Sequence, residues 1–271
     1  EHHELVLVTA TDGNHGRAIA RMARLLDLGA RIYVPAGLSP QALDGIRDEG
    51  AQIIETGGTY DNVVEQAAAS TEGNDHEVLV QDTSWPGYVD IPHWIVEGYS
   101  TLFAEVDQQL ADLGLKADAV AIPTGVGSLL QSAVEHFRSA DRTSRPGVIA
   151  VEPVSAACIT ASLQSGVPVT VDTSVATIMA GLNCGTPSLI AWPTIHAGVD
   201  AAQSVTEDDD LDALRRLNRL GVTVGPCGAA SLAGTQQLLA DPRRRRALGI
   251  TTSSVLVLSS TEGPDANPVT P

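Results

Sequence analysis

Lysine is almost missing from this chain: Lys116 is the only one in 271 residues. Basic residues as a whole are outnumbered, with 16 Lys and Arg against 33 Asp and Glu and a formal net charge of -17. That balance argues against nucleic acid as a partner, because a phosphate backbone needs a basic surface. The one basic cluster, Arg243–Arg246, follows Asp241-Pro242 and reads as a solvated helix end. Cysteine is scarce too. Cys158, Cys184 and Cys227 are odd in number, widely spaced and without a CxxC zinc pair. A disulfide framework is excluded, a single Cys158–Cys184 bridge stays open, and a reducing cytoplasm is the expected setting. No apolar run approaches the roughly 20 residues of a membrane span, so neither a membrane partner nor a secretory signal is expected. His2 and His3 read as surface residues rather than metal ligands.

What is present suits an ordinary globular protein. Hydrophobic residues make up 43% and charged ones 18%, enough for a sizeable core in one large or two smaller domains. Strand candidates are Leu5–Thr9, Arg31–Pro35, Gln52–Glu55, Glu77–Gln81, Ala119–Pro123, Val148–Glu152, Val222–Val224 and Val255–Ser259. Most are nearly continuous in Val, Ile and Leu, as strands buried on both faces are. Between them the spacing predicts helices over His15–Leu28, stopped by Gly29, and over Ser39–Glu49, Asp61–Ser70 and Ile95–Leu113. This alternation implies an α/β fold of parallel sheets with helices on both faces. A division near residue 105 gives a first domain, 1–105, and a second, 106–271, with the helix from Ile95 carrying the chain across.

Ligands of open α/β sheets sit where strands end. After the first strand, Thr11-Asp12-Gly13-Asn14-His15-Gly16 runs straight into a helix. Free N–H groups and a positive helix end there suit an anion, although a ligand-free turn uses the same Gly and Asn. Pro123-Thr124-Gly125-Val126-Gly127-Ser128-Leu129 lets backbone N–H groups reach a phosphate, with a hydroxyl from Ser128. It lacks the Gly-Lys-Ser/Thr of a Walker loop and the third glycine of a dinucleotide fingerprint. Ser259-Ser260-Thr261-Glu262-Gly263 places hydroxyls after the last strand, for a ring nitrogen of a ligand or for a plain turn. Asp82 ends a strand beside Trp85 and Tyr88, which suit a pocket wall or lid, or an anchored loop. Metalloprotease and α/β-hydrolase readings find no HExxH or GxSxG.

Taken together, TDGNHG (Thr11–Gly16), QDTSWPGYVDIPHWIVEGYSTL (Gln81–Leu102), GVGSL (Gly125–Leu129), VEP (Val151–Pro153), TIMAGLNCGTPS (Thr177–Ser188) and STEG (Ser260–Gly263) resemble one family. In order and over nearly the whole chain they are similar to diaminopropionate ammonia-lyases, pyridoxal phosphate (PLP) enzymes of fold type II related to the tryptophan synthase β chain. The resemblance implies two parallel-sheet, three-layer domains. It implies a PLP-dependent α,β-elimination that turns 2,3-diaminopropionate, a small amino acid, into pyruvate and ammonia. Asn14 would contact the PLP 3′-oxygen, Gly125, Val126, Gly127 and Ser128 its phosphate, and Ser260, with Thr261 second, its pyridine nitrogen. Thr11, Gly13 and His15 would cradle the substrate carboxylate. Asp12 would be the base for the D-isomer or an acid for the leaving amine, and Asp82 would hold the distal ammonium. A homodimer is expected by analogy. A serine or threonine dehydratase-like lyase, or a noncatalytic PLP- or amino-acid-binding protein, is the alternative; the two carboxylates favour a dibasic substrate. In the resembled family a Schiff-base lysine precedes TDGNHG by some tens of residues. Lys116 instead closes a helix before a strand, where a solvated lysine is ordinary. The chain is therefore expected to be incomplete at its N-terminus, with sheet edges left open, and to hold PLP noncovalently at best.

Overall fold

A computed structural model describes residues 5–269; His2 and His3 lie outside them. The first sheet holds β1 (Val6–Ala10), β2 (Gly29–Pro35), β3 (Gln52–Thr56) and β4 (Glu77–Leu79), in the order β3-β2-β1-β4 and parallel throughout. On one face α1 (Asn14–Leu25) and α2 (Pro40–Arg47) bury Ala20, Leu43 and Ile46 against Ile32 and Val34. On the other, α3 (Tyr60–Thr71) packs Val63, Val64 and Ala67 on Val8, Ala10 and Leu79.

The long α4 (Asp90–Asp112) leads to a second parallel sheet. It holds β5 (Ala119–Pro123), β6 (Gly147–Pro153), β7 (Ala201–Val205) and β8 (Leu256–Leu258), in the order β7-β6-β5-β8. Phe103 of α4, α5 (Ser128–Arg138), α6 (Cys158–Ser165) and α7 (Ala191–Gly198) cover one face, around Val120, Ile122, Leu130 and Phe137. The other face carries α8 (Glu207–Arg219) and α9 (Pro226–Ala240), with Leu214, Ala230 and Leu238 over Ala121, Ile149 and Val151. Burial of both faces explains why the sequence of β5 and β6 is continuously apolar rather than alternating.

Several elements differ from the sequence-based expectation; α4 begins at Asp90, ahead of the expected Ile95, with Asp90 in its first turn. Val222–Val224 is not a strand: it links α8 to α9, with Val224 in the core and Val222 exposed. The strand is β7, whose Gln203 and Ser204 hid it; Gln203 binds Gln237 of α9 and an arginine of α10 (Pro242–Ala247). That arginine, Arg244, also donates to the Ala202 carbonyl at 2.7 Å, so one member of the basic run is tied to the sheet while Arg243, Arg245 and Arg246 stay exposed. Finally, α1 ends at Leu25 rather than Leu28 because Asp27 turns left-handed (φ 57) and the Leu28 N–H returns to the Ala23 carbonyl. Gly29 then opens β2 instead of stopping a helix.

The three cysteines are free and buried, so Cys158 and Cys184 are not bridged. No helix among the described residues is long and apolar enough to cross a membrane.

Candidate active site

The strand ends of the two sheets face one cavity. Its wall includes Thr11, Asp12, Gly13, Asn14, His15, Asp82, Gly125, Val126, Gly127, Ser128 and Thr261. Of the residues to which the resemblance gives a site role, Ser260 alone is outside this lining; it is exposed and seated against Gly228.

Thr11 organises the first loop. Its buried hydroxyl oxygen accepts the N–H groups of Gly13 and Gly16, both at 2.9 Å. A Cβ at Gly16 would overlap Thr11 and Ile32, so the loop closes this tightly only with glycine there. Asn14 starts α1, and its Nδ2 donates across the cavity to the Thr261 carbonyl at 3.4 Å. The His15 ring turns away, with Nε2 donating to the Val80 carbonyl at 2.8 Å. Asp12 has a shielded carboxyl oxygen, Oδ2, without a hydrogen-bond partner. Burial, and then the Asp82 and Asp61 carboxylates, push its carboxyl well above the usual range.

Asp82 is held firmly. Its Oδ1 accepts the Tyr60 hydroxyl at 3.1 Å and the Gln81 amide at 2.9 Å. Gln81, fully buried, is itself fixed: its Oε1 accepts the Thr9 hydroxyl and the Ala10 N–H, each at 2.9 Å. The Gln81 N–H donates to the Tyr88 hydroxyl at 2.8 Å, and Tyr88 stacks on Trp85 with ring centroids 4.5 Å apart. Trp85 and Tyr88 therefore brace the loop behind Asp82 and are absent from the cavity wall. Tyr60 and Tyr99 line it instead, with hydroxyls raised by burial and by the Asp82 charge. Sequence reasoning passed over both; for Tyr60 the signal was its place beside Asp61 at a helix start. It also assigned no role to Gly181, Leu182, Cys184 or Cys227, which complete the wall, although three of them fall in the TIMAGLNCGTPS segment.

The glycine loop forms a cradle. Gly127, left-handed at φ 101, caps α5 without any side-chain cap, and Ser128, Leu129 and Leu130 of the first turn line the cavity. A Cβ at Gly125 would fall 2.9 Å from Cys184 Sγ and 3.2 Å from the Gly181 carbonyl, and one at Gly127 2.7 Å from Ile195 Cδ1. An uncapped helix start behind two enforced glycines fits a phosphate dianion. The Ser128 hydroxyl donates to the Asp82 carbonyl at 2.6 Å, so it links this cradle to the Asp82 loop. Among the described residues no lysine or arginine lines the cavity; Lys116 is exposed in a separate surface cavity with Asp107 and Arg142.

Two parallel sheets facing one cleft, with a polar loop at one helix start and a phosphate cradle at another, define the fold type II class of PLP enzymes. Residues 1–260 match the family model described as pyridoxal-phosphate dependent enzyme, and the chain belongs to that family. It is 40% identical over 215 residues to the diaminopropionate ammonia-lyase of Salmonella typhimurium strain LT2, covering 78% of this chain and 52% of that protein. To the diaminopropionate ammonia-lyase of Escherichia coli K12 it is 33% identical over 271 residues, covering 96% of this chain and 67% of that protein. A crystal structure of the Escherichia coli lyase in complex with an aminoacrylate-PLP azomethine reaction intermediate matches with a TM-score of 0.88 at 31% identity, over 97% of this chain and 69% of that one. The chain thus spans about half to two thirds of the length of these relatives.

Proposed function

We propose that this protein catalyses the α,β-elimination of 2,3-diaminopropionate, yielding pyruvate and two molecules of ammonia, with PLP as cofactor. The observation that carries the reading is the pair Asp12 and Asp82 on one cavity wall: two carboxyls facing a substrate with two amino groups. When bound, PLP supplies the electron sink for the pair left at Cα. The residues present fit it noncovalently: the loop Gly125, Val126, Gly127 and Ser128 for the phosphate, Asn14 for the 3′-oxygen, and Thr261, with Ser260 beside it, for the pyridine nitrogen. Thr11, Gly13 and His15 receive the substrate carboxylate at the start of α1. Asp82, fixed by Tyr60 and Gln81, holds the distal ammonium through a charge-assisted hydrogen bond. Asp12, with its raised carboxyl, gives a proton to the leaving amine; in its ionised form the same group takes the Cα proton of a D-substrate. The reading includes a smaller domain, 1–105, and a larger one, 106–271, around the substrate, and a cytoplasmic homodimer; the free buried thiols support a reducing compartment.

The test is turnover of diaminopropionate, serine and threonine side by side on PLP-loaded protein, scoring 2-oxo acid and ammonia. Diaminopropionate should have the highest kcat/KM. Asp82→Asn should lower it roughly 10- to 100-fold, chiefly through KM, as expected for one charge-assisted bond. Faster turnover of serine or threonine replaces the reading with a dehydratase-like lyase. PLP binding with turnover of none of the three replaces it with a binding protein.

A further inference from the structure

α9 opens on Gly225-Pro226-Cys227-Gly228, and nothing in its own sequence caps it. Gly225 has no side chain and Pro226 no N–H, so the first amide in need of a partner is that of Cys227. Its partner comes from 35 residues downstream. Glu262, 6% exposed, accepts the Cys227 N–H through Oε1 at 3.2 Å, and its backbone carbonyl accepts the Gly225 N–H at 3.0 Å. The Cys227 thiol donates to the same carboxyl, which burial otherwise pushes upward.

The space for this contact is cut by glycine. A Cβ at Gly225 would overlap Glu262 Oε1, and one at Gly228 would overlap Ser260 Oγ. Gly225 has φ -85 and ψ 176, open to any residue, so its smallness serves contact rather than backbone freedom. Between the two seated side chains stands Thr261, which lines the cavity and whose carbonyl receives Asn14. Glu262 is absent from that lining.

We infer that Glu262 is a positioning residue: its carboxyl caps α9 in trans and so presents Thr261 to the cavity. Its importance to PLP rests on the function proposed above; the docking of the loop does not. The SSTEG segment is then fixed by the GPCG helix start, and an amide-accepting side chain at 262 is what the arrangement requires.

The experiment compares wild type, Glu262→Ala, Glu262→Gln and Gly225→Ala by amide hydrogen exchange without PLP, then by PLP titration followed through its absorbance. In Glu262→Ala, exchange should quicken at 227–230 and 259–263 while β6 stays protected. PLP affinity should fall about tenfold, the scale of one lost cap, and the PLP absorbance maximum should shift. Glu262→Gln, whose amide oxygen can accept the same N–H, should restore most of these properties. Gly225→Ala, whose Cβ would meet both Glu262 Oε1 and the Gly263 carbonyl, should quicken exchange over the same two segments. Unchanged exchange at 259–263 in Glu262→Ala, or a glutamine variant as impaired as the alanine one, would each overturn the inference. If Glu262→Ala does not fold, Glu262→Gln decides: wild-type exchange at 227–230 and 259–263 supports the inference and quickened exchange there overturns it. Wild type that takes up no PLP defeats the proposed function, while the exchange data still decide the role of Glu262.

Discussion

At the scale of single residues, the carboxyl group of Asp12 is the most informative. It is shielded, lacks a partner on Oδ2 and faces two other carboxylates, so its neutral form is favoured. A group in that state works as an acid below its raised pKa and loses the capacity as the pH climbs through it. Where Asp12 serves as the acid, with the L-isomer, the kcat of diaminopropionate turnover is therefore expected to fall along an alkaline limb. Asp12→Asn should remove that limb and lower kcat by about 10²–10⁴-fold, the usual span for a positioned proton donor; a pH series of kcat for the two proteins checks it. Asp12 and Asp82 were legible because they stand in short polar segments directly after apolar runs. Tyr60 was not, since a tyrosine near a helix start looks like ordinary core until the fold brings its hydroxyl to Asp82.

At the scale of elements, two helices begin on carboxyls borrowed from elsewhere. α9 takes Glu262, and α6 takes Glu152 from the end of β6. Glu152 is fully buried and accepts the Ile159 N–H and the Thr160 N–H, both at 2.8 Å, and the Thr160 hydroxyl at 2.7 Å. Burial outweighs these bonds and pushes its carboxyl up from 4.5 to about 7. A folded-state pKa above the unfolded one means that its contribution to stability is full below 4.5 and is lost as the pH rises through about 7. Urea midpoints of the wild type should decline across that window. Glu152→Gln should flatten the decline and, by setting an NH2 against a backbone N–H, cost about 1–3 kcal/mol. Such long-range caps explain part of what sequence reading misses: a helix start is sought in its own neighbours, and α6 and α9 show no side-chain cap there. Strands buried on both faces were readable from their apolar runs. β7, at the sheet edge and served by Arg244 and Gln237, was not.

At the scale of the whole molecule, the two sheets are tied by a few buried polar bonds. Ser84 and Ser188 share a 2.7 Å hydroxyl contact; the Ser84 N–H reaches Ser188 Oγ at 3.0 Å, and the Ile190 N–H reaches Ser84 Oγ at 2.9 Å. Thr186 donates to Asp61 at 2.8 Å nearby. Ser84→Ala leaves the Ile190 amide without its partner and the Ser188 hydroxyl with only the Ser84 N–H. A loss of about 1–3 kcal/mol in urea unfolding is expected, with faster amide exchange at 188–190 than at β5. The parallel, helix-covered architecture followed from strand–helix alternation. Which side chains meet across the cleft did not, because no periodicity relates residues more than a hundred positions apart.

Among the described residues the wall of that cleft carries Asp12 and Asp82 but no lysine or arginine, on a chain of net charge -17. An anion arriving from solution meets a long-range repulsive field. What attracts it is confined to the first turns of α1 and α5, since a helix dipole fades within one turn. Mobile ions at about 0.1 M damp fields beyond roughly 10 Å while leaving contacts at the helix starts intact. If the phosphate and carboxylate bind at these helix starts as proposed, added salt is expected to quicken their approach while local contacts at the end of the path hold them.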